Sequence, residues 1–264
     1  MKTLMVGDVV GKAGRRVLSA VLPHLRAHYE LDFIVVNAEN AAAGFGITQE
    51  IAHELLAQDV DVLTSGNHIW DKREALDFID REPRLLRPHN YPQDAPGSGW
   101  IAVDSAAGHR VGVLNLMGNV FMHPSLNCPF RCADGVLKTK ADKVDVLLVD
   151  FHAETTSEKQ AMGWYLDGRV GAVVGTHTHV MTADEQVLPS GTAYISDLGM
   201  TGCHDSVIGM NKEKVLRRFV QKLPERFEVA NGPAILSGVV IDIDTGSGLS
   251  RSIQRIKIHE DEVS

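Results

Sequence analysis

Apolar residues in this chain come in two rhythms. Short apolar runs at 4–6, 33–36, 60–64, 111–117, 144–151 and 170–174 read as buried strands. Between them, residues 15–30, 48–58, 71–81 and 157–166 space their apolar positions as amphipathic helices do. Asp71, with Glu74 three residues on, suits an N-cap, and Pro23 predicts a kink or restart within the first helix. The last quarter changes character. Residues 193–196, 235–244 and 249–258 read as strands, and Asp244-Thr-Gly-Ser-Gly joins the final two as a hairpin signal. Strand–helix alternation followed by antiparallel strands predicts an α/β fold in which sheet packs on sheet with helices outside. The Pro-rich stretch RPHNYPQDAPGSG, residues 87–99, is the best linker candidate, but it is short and reads as a surface loop. No internal repeat is present, so 1–264 is expected to form a single domain.

Composition narrows the partners. With 264 residues and 44% hydrophobic content the chain can bury a full core, and 23% charged residues without a low-complexity run argue against disorder. A net charge of −8 argues against a protein that wraps nucleic acid through a basic face, so no direct nucleic-acid groove is expected. A small anionic substrate stays open, because bound metal supplies positive charge that the bulk balance hides. Cys128, Cys132 and Cys203 form no C-x-x-C pair and read as reduced thiols. The opening MKTLMVGDVVG is too short an apolar run for a signal peptide, and no stretch approaches the ~20 apolar residues that span a membrane. The expectation is a soluble, cytoplasmic protein with no membrane partner.

Candidate chemistry collects at strand ends. Five of them finish in metal-ligand residues: Gly7-Asp8; Asn37-Ala-Glu39-Asn40; Gly66-Asn67-His68; Asp150-Phe-His152; and Gly175-Thr-His177-Thr-His179. In open α/β sheets, ligands bind beyond the carboxyl ends of strands. Each motif alone has a plainer reading: Asp8 as a turn or cap residue, Asn67-His68 as a loop with a satisfied histidine. Together they deliver Asp, Glu, Asn and His to one edge, and a bound cation explains why a core strand ends in Glu39. The remaining histidines fall on predicted helices, in loops or near the C-terminus. His204, in TGCHDSVIG, lies in a loop that this reading leaves near the site. A nucleotide-binding loop is excluded, since Gly7-Asp-Val-Val-Gly11 lacks both the G-x-G-x-x-G and the P-loop spacing.

These motifs resemble the calcineurin-like metallophosphoesterase superfamily: an Asp at the first strand end, a bridging carboxylate, G-N-H, an isolated His and a terminal H-x-H. The common form has D-x-H at the first motif and G-D-x-x-D at the second, where this chain has Asp8-Val-Val and Asn37-Ala-Glu39-Asn40. Both departures are shared by the YmdB-like phosphodiesterases. To these the chain is similar from GDVVG through NAEN, SGNHIWD, DFHAE and GTHTHV to SDLGMTG. Cys203-His204 stands where that group leads one to expect Pro-Tyr.

The resemblance implies a four-layer αββα sandwich and two metal ions per chain, iron foremost, with manganese or zinc as alternatives. It implies one metal held by Asp8, Glu39, Asn40 and His179, and the other by Glu39, Asn67, His152 and His177. Glu39 would bridge, and His68 would be the catalytic proton donor. The implied reaction is hydrolysis of small phosphodiesters, 2′,3′-cyclic nucleotides above all, by a hydroxide bridging the metals. The implied assembly is a homo-oligomer. The donor types fit that chemistry: two carboxylates among neutral amides and imidazoles leave two divalent ions and a hydroxide with a net charge of roughly +1, attractive to a diester anion. Mixed oxygen and nitrogen donors suit iron, manganese or zinc better than calcium, and the lack of thiolates argues against a structural zinc site. Asp71 and Glu154 are placed to contact His68 or His152, although a cap and a surface carboxylate are the plainer roles. Two other functions remain open. One is a phosphomonoesterase acting on a nucleotide or another small phosphate ester; the second is a metal-containing regulatory or RNA-associated binding protein.

Overall fold

The computed structural model describes residues 1–262, so the last two residues of the expected 1–264 domain lie outside the described residues. In chain order the elements are β1 (Lys2–Val6), β2 (Asp8–Val9), α1 (Gly11–Tyr29), β3 (Phe33–Asn37), α2 (Gln49–Leu56), β4 (Val62–Thr64) and α3 (Ala75–Phe78). There follow β5 (Trp100–Asp104), β6 (Arg110–Met117), α4 (Pro129–Lys140), β7 (Val146–His152), α5 (Thr156–Leu166) and β8 (Ala172–Thr176). The chain continues with β9 (Gln186–Val187), β10 (Ala193–Ile195), β11 (Met200–Cys203), α6 (Lys212–Gln221), β12 (Ala234–Asp244) and β13 (Leu249–His259). One sheet runs β2-β11-β12-β1-β3-β4, with β13 also paired to β12; the other runs β5-β6-β7-β8-β10-β9.

Period-two alternation explains why these strands make two packed sheets. Met5, Phe33, Val35, Val113, Leu148, Val174 and Val239 point into a core between the sheets. Their neighbours Leu4, Val6, Ile34 and Val36 point the other way, onto apolar residues of α1 and α2 such as Val17, Leu18 and Leu55. On the second sheet, Leu147, Val149 and Phe151 likewise turn outward onto Ala133 of α4 and Met162 of α5. A strand buried on both faces must be apolar at every position, and the result is the αββα sandwich. β1, β3 and β4 are mutually parallel, as are β6, β7, β8 and β10, so each sheet gathers several carboxyl ends along one edge.

Several expectations needed adjustment. The first helix begins at Gly11 and runs unbroken through Pro23, which lies on its exposed face. The helix predicted over 71–81 shrinks to α3 and one 3₁₀ turn, with Glu74 rather than Asp71 at its N-cap. Helices α4 and α6 were not anticipated. Residues 87–99 are not wholly a surface loop: Arg87 is buried because its guanidinium donates to the carbonyls of Pro88, Ala95 and Pro96, so the chain folds back around it. Cys128, Cys132 and Cys203 are free thiols. Among the described residues no helix is long and apolar enough to cross a membrane.

The inter-sheet core is where truncation costs most. Phe33→Ala, at a fully buried position, is expected to lose about 3–5 kcal/mol of stability, whereas Phe219→Ala, 63% exposed, stays within about 0.5 kcal/mol of wild type. Urea unfolding midpoints at unchanged m-value test the contrast.

Candidate metal centre

The parallel carboxyl ends of both sheets meet at the residues singled out by sequence. Carboxylate and imidazole atoms of Glu39, His152 and His177 lie within 4.8 Å of one another, as do those of Asp8, Glu39 and His179. Glu39 belongs to both groups. Asn67 Oδ1 stands 3.0 Å from His152 Nε2, and Asn40 Oδ1 stands 3.3 Å from His179 Nε2. His68 lies at the edge, its backbone N–H donating to Glu39 Oε2 at 3.3 Å. All eight predicted residues are thus neighbours.

Each carboxylate is half satisfied. Asp8 Oδ2 accepts from the backbone N–H of His177 at 3.2 Å, and Glu39 Oε2 from that of His68, while the buried Asp8 Oδ1 and Glu39 Oε1 face imidazole nitrogens of His152, at 3.8 Å and 3.2 Å. Buried acceptors without donors are costly unless a positive charge stands nearby.

The histidines are turned by what they touch on their far sides. His179 Nδ1 lies 2.9 Å from the carbonyl of Ile208, which only accepts, so Nδ1 carries the proton and Nε2 presents a lone pair toward Asn40 and Asp8. Thr176 Oγ1 donates to Asp150 Oδ1 at 2.7 Å and therefore accepts from His152 Nδ1 at 2.9 Å, which turns His152 Nε2 inward. His177 Nε2 meets Glu154 Oε2 at 3.0 Å, leaving Nδ1 to face His152 Nε2, also at 3.0 Å. Around His152 Nε2 stand two oxygens and a second imidazole nitrogen, with Glu39 Oε1 at 3.2 Å. One proton cannot serve all of them; a cation can. Donor set and orientation therefore fit the metals that the sequence motifs imply.

A family model described as YmdB-like protein matches residues 4–256. The chain belongs to the YmdB-like family. It is 49% identical over 263 residues to the 2′,3′-cyclic-nucleotide 2′-phosphodiesterase of Bacillus subtilis, covering 100% of this chain and 99% of that protein. It superposes on the crystal structure of a novel phosphatase from Mycoplasma pneumoniae with a TM-score of 0.92 and 34% identity, over 98% of this chain and 93% of that one. The calcineurin-like phosphoesterase YfkN of Bacillus subtilis, at 11% identity and a TM-score of 0.54, covers 99% of this chain and 91% of its own, a likeness of fold. In this YmdB-like chain the two groups sharing Glu39 are residues of the types that bind metal ions.

Support for the site comes from two acids to which the sequence reading gave no role. Asp150, two residues before His152 on the same face of β7, is buried and accepts from Asn37 Nδ2 at 3.0 Å as well as from Thr64 and Thr176. Burial pushes its carboxyl up, and the three donors pull it back. Asp197 forms a buried ion pair with Lys159 at 2.6 Å and accepts from both the N–H and the hydroxyl of Thr178. It thereby grips the turn in which His177 and His179 adopt φ of 103° and 64°. The signal for Asp150 lay in strand alternation, and that for Asp197 in an acid two residues past β10. Asp71 and Glu154 depart from their plainer readings: Asp71 bonds His68 Nδ1 at 2.8 Å, and Glu154 bonds His177. His204 does not join the cluster. It lines a separate cavity of about 250 Å³ behind His179, and its ring packs on His259.

Electrostatics within the cluster hinge on one imidazole. Burial disfavours charge on His152, yet Glu39 and Asp8 beside it raise its pKa to about 9. Burial would raise Glu39, but His152 holds that carboxyl at about 2. Asp8 is pushed up to about 6 by burial, against the pull of His179 and His152. His177 is pushed down to about 3 by burial and by the neighbouring His152.

Two predictions follow from this geometry. A cation bound through His152 must displace its proton, and below about pH 9 that proton is present, so affinity for a divalent metal should rise with pH, by about tenfold per unit between pH 7 and 8 for one proton released. Metal titrations at several pH values check the slope, and a flat profile contradicts it. Gly66 leaves no room for a side chain, since a Cβ there would lie 2.1 Å from His152 Cδ2 and 2.4 Å from Glu39 Oε2. Gly66→Ala should therefore reduce bound metal at least about tenfold while the circular dichroism spectrum stays native.

Proposed function

We propose that this chain is a metal-dependent phosphodiesterase acting on small phosphodiesters, with 2′,3′-cyclic nucleotides as the physiological class. The observation that carries the reading is the pair of ligand groups joined by Glu39, with each of three histidines oriented by an acceptor on its far side. In this reading Asp8, Glu39, Asn40 and His179 hold one metal, and Glu39, Asn67, His152 and His177 hold the other. Two such cations supply Lewis acidity toward the phosphoryl oxygens, charge neutralisation and activation of water. Iron is the metal we propose, because three imidazoles with four oxygen donors and no thiolate suit it, manganese and zinc being the alternatives.

His68 is the proton donor in this scheme. Its Nδ1–H bonds Asp71, which fixes the ring, and Nε2 is the atom from which a proton passes to the leaving oxygen. The ring is partly exposed, as a group that meets substrate must be. The 2′,3′-cyclic-nucleotide phosphodiesterase activity of the Bacillus subtilis relative supports the substrate class. A phosphomonoesterase is the second reading, favoured by the description of the Mycoplasma pneumoniae relative as a phosphatase. We also propose a single domain, since the inter-sheet core draws on β1 and β3 as well as β12, and a cytoplasmic setting, which suits three free thiols. Homo-oligomers are proposed from the resemblance, and the exposed Leu216, Phe219 and Val220 of α6, with Leu223 just past it, offer a surface for them.

Metal analysis paired with hydrolysis of 2′,3′-cyclic AMP tests the proposal. Wild type should carry about two metals per chain. Glu39→Gln should lose metal and activity together, while His68→Ala keeps the metal and loses about 10²–10⁴ in kcat. Wild-type protein that stays folded and inactive on diesters after iron or manganese is added would overturn the reading. Faster turnover of p-nitrophenyl phosphate than of bis-p-nitrophenyl phosphate would favour the monoesterase.

A further inference from the structure

The cavity beside the ligand cluster has two unlike walls. It holds about 340 Å³, and Glu39, Asn40, His68, His177 and His179 form one side. The other side is Phe45, Ile208, Met210 and Phe227. Nothing in the hydrolytic scheme uses that apolar wall, although Phe45 and Phe227 are only partly buried and Ile208 is 49% exposed. Apolar surface left open at the rim of a polar site gains free energy when a ligand covers it.

The wall is built to stay in place. Phe45 stands between Gly44 and Gly46, whose φ of 89° and 74° turn the loop so that the ring reaches the cavity. A Cβ on Gly44 would lie 2.6 Å from Val229 Cγ2, so that loop is pressed against the chain and has little room to drift. The Phe45 ring packs edge-on against the His68 ring, centroids 5.1 Å apart, which sets its position relative to the proposed proton donor. Asn40 Nδ2 donates to the carbonyl of Gly44 at 3.0 Å, tying the same loop to the cluster. At Phe227, the Arg218 guanidinium stacks 4.5 Å from the ring centroid. The carbonyl of Ile208 is the one that orients His179.

We propose that this wall is a nucleobase shelf: Phe45 and Phe227, with Ile208 and Met210, receive the base of a nucleotide whose cyclic phosphate meets the cluster. The proposal rests on the phosphodiesterase reading above. It also carries a statement about selectivity. Polar side chains lining the cavity are already engaged: Thr178 donates to Asp197, Glu154 pairs with His177, and Asn40 donates to the Gly44 carbonyl. The four shelf side chains offer faces and methyl groups and carry no donor or acceptor for a base edge, and Arg218, stacked on Phe227, is not among the residues lining the cavity. Contact of this kind is tolerant of base identity, because every base has a π-face. The enzyme therefore distinguishes a nucleoside from a bare sugar and hardly distinguishes one base from another.

The experiment compares the metal-loaded wild type on the 2′,3′-cyclic phosphates of adenosine, guanosine, cytidine and uridine with the abasic 1-O-methylribose 2′,3′-cyclic phosphate. The expected result is kcat/KM within about tenfold across the four bases and at least about tenfold higher than for the abasic compound. In Phe45→Ala and Phe227→Ala the ratio of nucleotide to abasic kcat/KM should fall toward one, through a rise in KM for nucleotides, with Phe45→Trp restoring part of it. Equal rates on abasic and nucleotide substrates by wild type would overturn the shelf and leave the phosphodiesterase reading standing, and this comparison needs no variant. So would variants that slow both substrate types in proportion. Discrimination of more than about a hundredfold between bases would overturn the claimed tolerance. Wild type inactive on all five compounds would overturn the phosphodiesterase reading itself.

Discussion

Two carboxylates buried at the mouth of a hydrophobic core, Asp8 and Glu39, each have one oxygen bonded to a backbone N–H and one that imidazole nitrogens approach instead. Removing a carboxylate from water costs several kcal/mol unless opposite charge stands close by. Backbone N–H groups of His177 and His68 satisfy the outer oxygens, and the inner ones are left for positive charge. His152 meets that demand within the protein itself, which is why its pKa climbs while that of Glu39 falls. A divalent cation meets it with more charge and at shared distances from several ligands.

The surrounding polar groups follow from the need to keep imidazole lone pairs aimed at that point. Three histidines are turned by three different acceptors: a hydroxyl relayed from buried Asp150, the partly exposed carboxylate of Glu154, and the Ile208 carbonyl. Beneath the turn carrying His177 and His179, Lys159 and Asp197 form an ion pair almost wholly shielded from water. A buried pair of this kind adds little net stability, but removing one partner costs about 3–5 kcal/mol. Its value here is geometric. Backbone conformations near φ of 103° and 64° are unfavourable for residues with side chains, and the bonds from Thr178 to Asp197 hold the turn in them.

Most of this was legible in the chain because two signals coincided. Apolar runs located the strands, and the residues ending them were chemically unlike a core. That coincidence reached Asp8, Glu39, Asn67, His68, His152, His177 and His179 without any knowledge of distance. It failed where one signal was missing. Helix α4 has Cys128 rather than Ser, Thr, Asp or Asn at its N-cap and buries only Pro129, Ala133 and Val136, and α6 buries only Val215 while exposing Leu216, Phe219 and Val220. Asp71 looked like a cap because Glu74 follows at the right spacing, but the helix starts three residues later than that reading placed it, and Asp71 is free to bond His68. Phe45 and Phe227 were invisible as a pair, since 182 positions separate them and only the fold sets them around one cavity.

The site is the polar continuation of the inter-sheet core. Along β3, alternation sends Phe33 and Val35 between the sheets, and the next position on that face is Asn37. Along β7, Val146 and Leu148 share a face with Asp150 and then His152. Val62 precedes Thr64 in the same way, and Val174 precedes Thr176. Asn37, Thr64, Asp150 and Thr176 then close a hydrogen-bonded network across the gap between the two sheets. A slip of one residue in either sheet would send these polar groups to the helix-covered outer faces and bring apolar side chains to the rim. The register that makes the core dry is therefore the same register that makes the rim able to hold charge, so sheet packing and ligand placement rest on a single constraint.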